Sequence, residues 1–136
     1  EKGGLLKMCS LKLTTEELLR LHVTLSSSSS LTTIDLTDSS IGDEGARLVA
    51  SACKQHACIT ALGLSGNLIG DNGAEALATM LRANRRVQSL FLRSNSIGPA
   101  GIAHLSTALG PDGNATLTKL NLKNNQVGAG GAAELG

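Results

Sequence analysis

The sequence has almost no aromatic residues: one Phe, no Tyr and no Trp among 136 residues. A hydrophobic core in this chain must therefore be built from Leu, Ile, Val and Ala. Hydrophobic residues still make up 41% of the chain and charged residues 17%, which excludes wholesale disorder. The length suits one domain, and such a uniform set of apolar residues points to a repetitive architecture.

Long apolar runs and an excess of charge are also missing. No stretch approaches the roughly 20 apolar residues that a membrane-spanning helix needs, so we expect no membrane partner. The 12 Lys and Arg residues are nearly balanced by 11 Asp and Glu residues. A net charge of +1 excludes a strongly basic nucleic-acid binder on composition alone, and we expect no nucleic-acid partner.

Cysteine is scarce and odd in number. The spacing of Cys9, Cys53 and Cys58 does not form a disulfide framework, which favours free thiols in a reducing compartment. We therefore expect a cytoplasmic protein. The chain starts without Met, and residues 1–4 do not resemble the start of a secretory signal. It is expected to be a segment of a longer protein.

What the sequence does have is an internal repeat. A segment of the form L-x-x-L-x-L, alternating apolar and polar residues, occurs four times, with two equal steps and a slightly longer third step. The alternation predicts a short strand with inward-facing Leu in each unit. The four segments are 31–36, 59–64, 87–92 and 117–122.

Further columns recur after each strand. A polar column holds Asn in three units, where a buried side chain is expected to satisfy backbone groups of its own turn and of the neighbouring repeat. Ser39 takes this position in the first unit, which predicts a looser turn. A branched apolar residue follows, and then Gly. The Gly is explained by the open backbone geometry that the chain is expected to need at that position. The Asn residues are Asn67, Asn95 and Asn125, and the glycines are Gly42, Gly70, Gly98 and Gly128.

An amphipathic helix is predicted next in each unit, from apolar residues at i, i+3, i+4 and i+7. These positions are Ala46, Val49, Ala50 and Cys53, then Ala74, Leu77, Ala78 and Leu81, then Ile102, Leu105, Ser106 and Leu109. No unit can bury its apolar face alone, so the units must stack. Since helices are wider than strands (~10 Å against ~4.8 Å), the stack must curve. The prediction is an α/β solenoid, a horseshoe arc with parallel strands on the concave face and helices on the convex face.

This pattern resembles the leucine-rich repeat family in its ribonuclease-inhibitor-like subclass. The motif L-x-x-L-x-L-x-x-N-x-I-G-x-x-G-A-x-x-L-A is present nearly verbatim at 59–78. The resemblance covers 31–136 and implies four such repeats, the last of them truncated. Ribonuclease inhibitors, the C-terminal regions of NOD-like receptors and Ran GTPase-activating proteins are similar. The segment 53–62 resembles the helix-to-strand link of NOD-like receptor repeats.

The two ends of the chain fit the repeat less well. Residues 1–30 are predicted to form a degenerate N-terminal repeat or cap, with a strand at 8–13 and a Ser-rich loop at 26–30. A capping box at 14–17 predicts a helix from about residue 15 to about residue 25. Leu11 is expected to correspond to Ile34, which makes this unit shorter than the others. The last helix is cut short at 131–136, and uncapped ends predict a tendency to self-associate.

The concave face is the expected binding surface. Its outward strand positions form columns, in which Phe91 is the only aromatic residue of the chain and points toward solvent. Exposed aromatic and Arg side chains are favoured as interface anchors. Asp35 and Asp38 lie at one end of this face and the cations at the other. The predicted partner-binding residues are Asp35, Phe91, Arg93, Lys119, Asn121 and Lys123.

No catalytic constellation recurs in the repeats, so neither an enzyme nor a cofactor is predicted. A metal site at Cys53, His56 and Cys58 is disfavoured, because Cys53 occupies an apolar helix position and a fourth ligand is missing. His22 and His104 are predicted to be surface or packing residues. A basic group at a predicted helix C-terminus suits the helix dipole; it consists of Arg82, Arg85 and Arg86.

The leading hypothesis is a non-enzymatic protein-binding module, part of a larger intracellular sensor or regulatory protein. Phe91 would be its anchor, and Arg93, Lys119 and Lys123 would steer the partner. Two alternatives stay open. The resemblance to Ran GTPase-activating proteins implies regulation of a small GTPase, and uncapped ends would suit a structural array that stacks end to end.

Overall fold

A computed structural model of the chain describes residues 5–7, 14–27, 31–54, 58–110, 113 and 116–125. Strands and helices alternate along these residues. Their bounds are β1 Leu5–Lys7, α1 Thr15–Ser27, β2 Thr33–Asp35, α2 Gly42–Cys53, β3 Ala61–Gly63, α3 Asp71–Ala83, β4 Ser89–Phe91, α4 Pro99–Ala108 and β5 Lys119–Asn121.

The five strands form one parallel sheet in chain order, β1 to β5. Its central register pairs Ile34 with Leu62, Leu62 with Leu90, and Leu90 with Leu120. These are the equivalent positions of successive repeats, so the predicted stacking is confirmed. The strands line the concave face of an α/β solenoid and the helices lie on its convex face.

The N-terminal unit follows the same step as the units after it. β1 pairs with β2 so that Leu6 lies beside Ile34, just as Ile34 lies beside Leu62. The strand therefore lies N-terminal to the predicted segment 8–13, which is outside the described residues, and the prediction of a shorter first unit is wrong. The helix α1 extends to Ser27, two residues past the predicted end.

The predicted capping box at the start of α1 is confirmed. The Thr14 N–H donates to Glu17 Oε1 (2.9 Å), and the Glu17 N–H donates to Thr14 Oγ1 (3.2 Å). Two N–H groups that would lack partners at the helix start are thereby satisfied.

The core is a ladder of aliphatic side chains between the strands and the helices. The inward strand positions of three repeats are each no more than 1% exposed; they are Leu31, Ile34, Leu36, Ile59, Leu62, Leu64, Val87, Leu90 and Leu92. The predicted apolar faces of α2 and α3 are buried as well. In α4, Ile102 and Leu105 are buried, whereas Ser106 and Leu109 are only partly covered.

In the units of β3, β4 and β5, an Asn side chain links the repeat to the one before it. Asn95 Oδ1 accepts the N–H groups of Asn67 (2.8 Å) and Ile69 (3.0 Å), and its Nδ2 donates to the carbonyls of Leu64 and Leu92, both at 3.0 Å. The predicted role of the Asn column is thereby confirmed. Matching inter-repeat bonds join Asn67 to Ser39, Ile41 and Leu36, and Asn125 to Ile97 and Leu92.

The residue before this polar column has a left-handed backbone in all four units. The φ values are 58° at Asp38, 68° at Gly66, 61° at Ser94 and 61° at Asn124. The sequence predicted the open backbone geometry at a different place, namely at the glycines that come later in each unit. Of these, Gly42 has φ 64°, but Gly70 and Gly98 are extended, with φ near −109° and −103°.

The difference between these glycines comes from an aspartate of the preceding repeat. Asp43 Oδ1 accepts the N–H groups of Gly70 (2.7 Å) and Gly73 (3.0 Å), whereas the Gly42 N–H donates to the carbonyl of Asn67 (2.8 Å). Asp71 repeats the bond pattern one unit on, accepting from Gly98 and Gly101. A carboxylate from one helix thus caps the start of the next helix, which the helix dipole favours.

Gly73 and Gly101 leave the space that this cap needs. A Cβ at Gly73 would lie 2.6 Å from Ile69 Cγ2, 2.7 Å from Asp43 Oδ1 and 3.1 Å from Ala46 Cβ. The same contacts recur at Gly101. A side chain at either position would push adjacent helices apart, so glycine is required there by close approach.

The longer step before the last strand is explained by an inserted turn. The Gly113 N–H donates to the Gly110 carbonyl (2.9 Å), as expected for a β-turn. The two central residues, 111 and 112, lie outside the described ranges. Despite this insertion, Ser89 and Lys119 are in register, so the turn does not disturb the sheet.

Replacing Asn95 with Ala should destabilise the array by about 3 kcal/mol or more, because buried N–H groups of Asn67 and Ile69 lose their acceptor. Urea unfolding followed by circular dichroism measures this, since the chain has no Trp or Tyr to report by fluorescence. Asn72→Ala, at an exposed position of α3, is the matched control and should cost well under about 1 kcal/mol. Equal losses for the two variants would contradict the linking role.

Gly73→Ala should lower the free energy of unfolding by about 1–3 kcal/mol through overpacking, although Ala favours a helix by about 1 kcal/mol over Gly. Gly70→Ala is the control, because a Cβ there meets its nearest atom at 3.6 Å. The same urea titration compares the two. A Gly73→Ala protein as stable as the parent would show that the helices do not need this close approach.

Cys53 should be unreactive in the folded protein. The side chain is fully buried, and desolvation raises the pKa of the Cys53 thiol to about 12. At pH 8 this lowers the thiolate fraction about a thousandfold relative to an ordinary cysteine. A chain with Cys9→Ser and Cys58→Ser should therefore react with a disulfide reagent only on unfolding. Equal rates with and without urea would refute the buried placement.

Candidate functional site

The candidate site is the concave surface of the sheet, where strand register fixes the neighbours of each outward residue. One column runs from Asp35 through Gly63 and Phe91 to Asn121. A second column, beside the first, runs through Thr33, Ala61, Ser89 and Lys119. Arg93 and Lys123 follow two residues after Phe91 and Asn121, so all six predicted residues lie on or next to three strands.

Phe91 is the aromatic residue of this surface. It is 37% exposed, while the adjacent ladder residues Leu90 and Leu92 are fully buried. Its register partners are Gly63, which has no side chain, and Asn121. Gly63 therefore supplies no side chain beside Phe91 on the neighbouring strand.

The acidic end of the face is formed in the β2 unit. Asp35 is half-buried, and its Oδ1 accepts both the Thr37 N–H (3.1 Å) and the Thr37 hydroxyl (2.6 Å). A Cβ at Gly63 would lie 3.0 Å from the same Oδ1, so the carboxylate leans over Gly63. Asp38 is exposed, and its carboxylate lies close to Gly66.

The basic end is formed by β4 and β5. Arg93, Lys119 and Lys123 are all exposed. Between the described residues two ion pairs form, Glu16–Arg20 and Glu44–Arg47, and both lie on helices. Within the same ranges the three concave cations therefore have no carboxylate partner. Asn121 Oδ1 accepts the Lys123 N–H (3.0 Å), which fixes the turn beside them.

The positions brought together by the fold thus carry opposite charges on the two sides of Phe91. Sequence reasoning selected Asp35 and Phe91 as site residues but did not select Gly63, which lies between them in the same column. The sequence could have indicated Gly63, because it is the only described residue of this column that has no side chain. Sequence reasoning also missed the linking aspartates Asp43 and Asp71, although they recur at the repeat step.

An open groove of about 470 Å³ lies between α2 and α3 on the convex face. Ala50, Ala76 and Met80 form its apolar part, and its rim holds cations and an acid. The rim residues are Arg47, Ser51, Lys54, Asn72, Glu75 and Thr79. Such a mixed rim belongs to a solvated helix surface rather than to a site with a defined charge.

The remaining candidates from the sequence have structural roles. His22 Nε2 lies 3.3 Å from Ser51 Oγ and joins α1 to α2. The Arg85 guanidinium donates to the carbonyls of Leu81 (3.3 Å) and Arg82 (2.9 Å), at the C-terminus of α3. This confirms the predicted interaction with the helix end for Arg85.

A metal centre finds no support in the described part of the chain. Among those residues, three or more His, Cys, Asp or Glu side chains never gather closely enough to hold an ion. Cys53 is a core residue and Cys58 is half-buried, while His56 lies outside the described ranges.

Among the helices of the described ranges, none is both long and apolar enough to span a bilayer.

A buried amide that the sequence did not single out holds the helix ends together. Asn84 is 2% exposed, and its Nδ2 donates to the Cys53 carbonyl (2.7 Å) at the end of α2. Its Oδ1 accepts the N–H groups of Arg86 (2.7 Å) and Val87 (2.8 Å). This bridge fixes the entry into β4, and therefore the position of Phe91.

Comparisons with known proteins agree with this architecture. A solved structure described as "Leiomodin-1 Actin-Binding Site 2 (ABS2)" is similar over 98% of this chain and 77% of that chain, with a TM-score of 0.83 at 21% sequence identity. This similarity shows the fold alone. No sequence among the curated proteins matches the chain.

The family profile named "Leucine Rich repeat" matches residues 27–50, 55–78 and 113–136, together more than half of the chain. The matched segments begin just before β2, β3 and β5 and contain the Leu ladder and the polar column. The unit of β4 and α4 lies between two matches and has the same geometry. The chain therefore belongs to the leucine-rich repeat family.

Proposed function

We propose that this chain is a non-enzymatic protein-interaction module that binds its partner on the concave face. The observation that carries the proposal is the exposure of Phe91, the only aromatic residue of the chain, on β4 of the parallel sheet. Aromatic side chains contribute a large share of interface binding energy, and a few such anchors usually dominate.

The charges on this face support a partner with an acidic surface beside its apolar contact. Arg93, Lys119 and Lys123 are exposed and, among the described residues, lack carboxylate partners. Charges of this kind raise association rates and disfavour wrong partners more than they add affinity. Phe91 would therefore provide most of the binding energy, while the cations would orient the encounter.

The class of function agrees with the family. Leucine-rich repeat folds are typically interaction scaffolds, and the repeated polar residues here serve the backbone. The structurally similar leiomodin-1 fragment is named for an actin-binding site, which supports a protein as the partner without identifying it. Function must still be argued from the site, and here the site is the surface around Phe91.

We further propose the ribonuclease-inhibitor-like subclass and a place in a larger cytoplasmic sensor or regulatory protein. The even register of successive strands and the helices of 12 and 13 residues in consecutive units support this subclass. The free thiol of the buried Cys53 supports a reducing compartment. The resemblance to NOD-like receptors supports the sensor role.

Replacing Phe91 with Ala and Arg93 with Glu should lower the affinity for the partner at least about 30-fold. This is the expected effect of losing an interface hot spot worth roughly 2 kcal/mol. Affinity capture with quantitative mass spectrometry compares wild type and variant baits. A protein retained by wild type and lost with the variant identifies the partner, and its affinity is then measured by calorimetry.

The matched control also removes one exposed apolar side chain and reverses one Arg charge, but on the convex side. Leu19 is 50% exposed on α1, and Arg20 is exposed beside it. Leu19→Ala with Arg20→Glu should leave capture unchanged, and circular dichroism should show that both double variants are folded. If both double variants lose the same proteins, or if neither variant loses any protein, the concave face is not the binding surface.

A further inference from the structure

We propose that Arg93 and Lys123 form a binding site for the phosphate of a phosphoserine or phosphothreonine side chain in a protein partner. The two residues, named here the cation pair, lie side by side at the basic end of the concave face. This inference rests on the proposed function, because it names the chemical group that this end of the face would recognise. It goes beyond a general attraction to acidic surfaces, since it assigns one anion to one place.

The hydrogen bonds between the last two described units bring the cation pair together. The Ser94 N–H donates to the Lys123 carbonyl (2.8 Å), and this bond continues the parallel register between β4 and β5. Arg93 and Lys123 are therefore equivalent neighbours, and their backbones lie about 5 Å apart, as in any parallel pair. Both side chains are exposed and are long enough to converge on one group that lies between them.

The cation pair is a local excess of positive charge that the fold does not need. The equivalent residues of the two preceding units are Thr37 and Ser65, so stacking does not require a charge at this position. Like charges on adjacent strands destabilise a sheet. Among the described residues neither cation forms an ion pair with a carboxylate. A bound anion would remove the repulsion.

The acids of the concave face do not neutralise the cation pair. Those in the described ranges are Asp35 and Asp38, both in the β2 unit. Arg93 lies two units further along the array and Lys123 lies three, which separates the backbones by about 10 Å and about 14 Å. The Asp38 carboxylate lies close to Gly66, and within the described ranges it forms no ion pair with Arg93. The two ends of the face therefore keep opposite charges.

A phosphate monoester matches the cation pair better than a carboxylate does. It carries close to two negative charges at neutral pH and has three acceptor oxygens, whereas a carboxylate carries one charge. The planar guanidinium of Arg93 can donate two parallel N–H groups to such a phosphate, and the ammonium of Lys123 adds a point charge. One phosphate thus balances both cations.

The backbone beneath the cation pair is ordered before a ligand arrives. The Arg93 carbonyl accepts the Gly66 N–H (2.9 Å) and Asn95 Nδ2 (3.4 Å). The Lys123 carbonyl accepts Asn125 Nδ2 (3.4 Å) in addition to its bond with the next strand. Binding therefore has to order two side chains but not the strands that carry them, which limits its entropic cost.

A phosphorylated protein segment suits this face better than the other large carriers of phosphate. A nucleic acid presents a row of phosphates, which Asp35 and Asp38 at the other end of the face would repel. A bilayer is flat, and the strands line the inner side of a curved array. A protein segment brings one phosphate to the cation pair, and Phe91, exposed two residues before Arg93, offers an apolar contact to its other residues.

The experiment is a titration of the ¹⁵N-labelled chain with the peptide Ac-Ala-Leu-Ala-pSer-Ala-Leu-Ala-NH2, followed by amide chemical shifts. Leu lies two residues from the phosphoserine on each side, because Phe91 lies about 7 Å along the strand from Arg93. We expect saturable shifts centred on the cation pair and on Ser94 and Asn124. Shifts centred elsewhere would overturn the proposal.

Analogues of the peptide test the phosphate itself. The Glu analogue should bind at least about five-fold more weakly than the phosphopeptide, because it has half the charge. The unphosphorylated Ser analogue should bind more weakly still. Inorganic phosphate should also bind at least about five-fold more weakly, since it makes no apolar contact. Equal binding of the Glu analogue contradicts a phosphate site, and equal binding of inorganic phosphate means an adventitious ion only.

Two variants test the cation pair and two test net charge. Arg93→Gln and Lys123→Gln should each weaken the phosphopeptide at least about five-fold. Arg82→Gln and Lys54→Gln remove the same charges from exposed positions at helix ends and should alter the affinity less than about two-fold, because salt screens distant charges. Circular dichroism checks that all four variants are folded. Equal losses for all four would mean that net charge alone matters, which contradicts a defined site.

Two further probes test the other carriers of phosphate. They are a short DNA duplex and vesicles of phosphatidylcholine with phosphatidylinositol bisphosphate. Both should bind more weakly than the phosphopeptide at the same ionic strength. If either binds more tightly and loses its affinity with Arg93→Gln, the cation pair recognises that carrier and the assignment to a protein partner is wrong.

Failure of this inference can be told apart from failure of the proposed function. If Phe91→Ala with Arg93→Glu abolishes capture of a protein, but phosphatase treatment of the lysate leaves capture by the wild type unchanged, the concave face is the interface and the cation pair is not a phosphate site. If the phosphopeptide binds but protein capture is unchanged by that double variant, the cation pair binds phosphate and the proposed function is wrong.

Discussion

Each repeat of this protein depends on its neighbour to satisfy its backbone. The side chain of Asn95 accepts and donates hydrogen bonds in the preceding unit, and the Asp43 carboxylate caps the helix of the following unit. Buried N–H and carbonyl groups without partners cost free energy comparable to a lost hydrogen bond. The units therefore form together, and the apolar ladder between them is buried by the same stacking.

This dependence explains why the repeated positions tolerate so little variety. Gly73 and Gly101 lie where adjacent helices almost touch, and the residue before each polar column has a left-handed backbone. Constraints of this kind recur in every unit because they come from the geometry of stacking. Residues that recur thus maintain the scaffold, and residues that do not recur are available for recognition.

The concave face is where the non-recurring residues collect. Asp35, Gly63, Phe91 and Asn121 are equivalent positions in successive strands, yet they are an acid, a glycine, an aromatic and an amide. The hydrogen bonds below them hold the strands in fixed register, so each outward side chain has a set neighbour. A rigid surface with varied chemistry is well suited to binding, since little entropy is lost when a partner is ordered on it.

The sequence alone determined the repeat, the parallel stacking, the apolar ladder and the role of the Asn column, because each leaves a periodic pattern that one physical requirement explains. It also identified Phe91 and the charged residues as outward-facing, since strand alternation fixes which side they take. Tertiary structure alone decided how the Asp35 carboxylate leans over Gly63, that Asp43 and Asp71 cap the next helix, and that β1 lies at Leu5–Lys7. These features depend on distances between atoms of different repeats, and a one-dimensional pattern does not contain such distances.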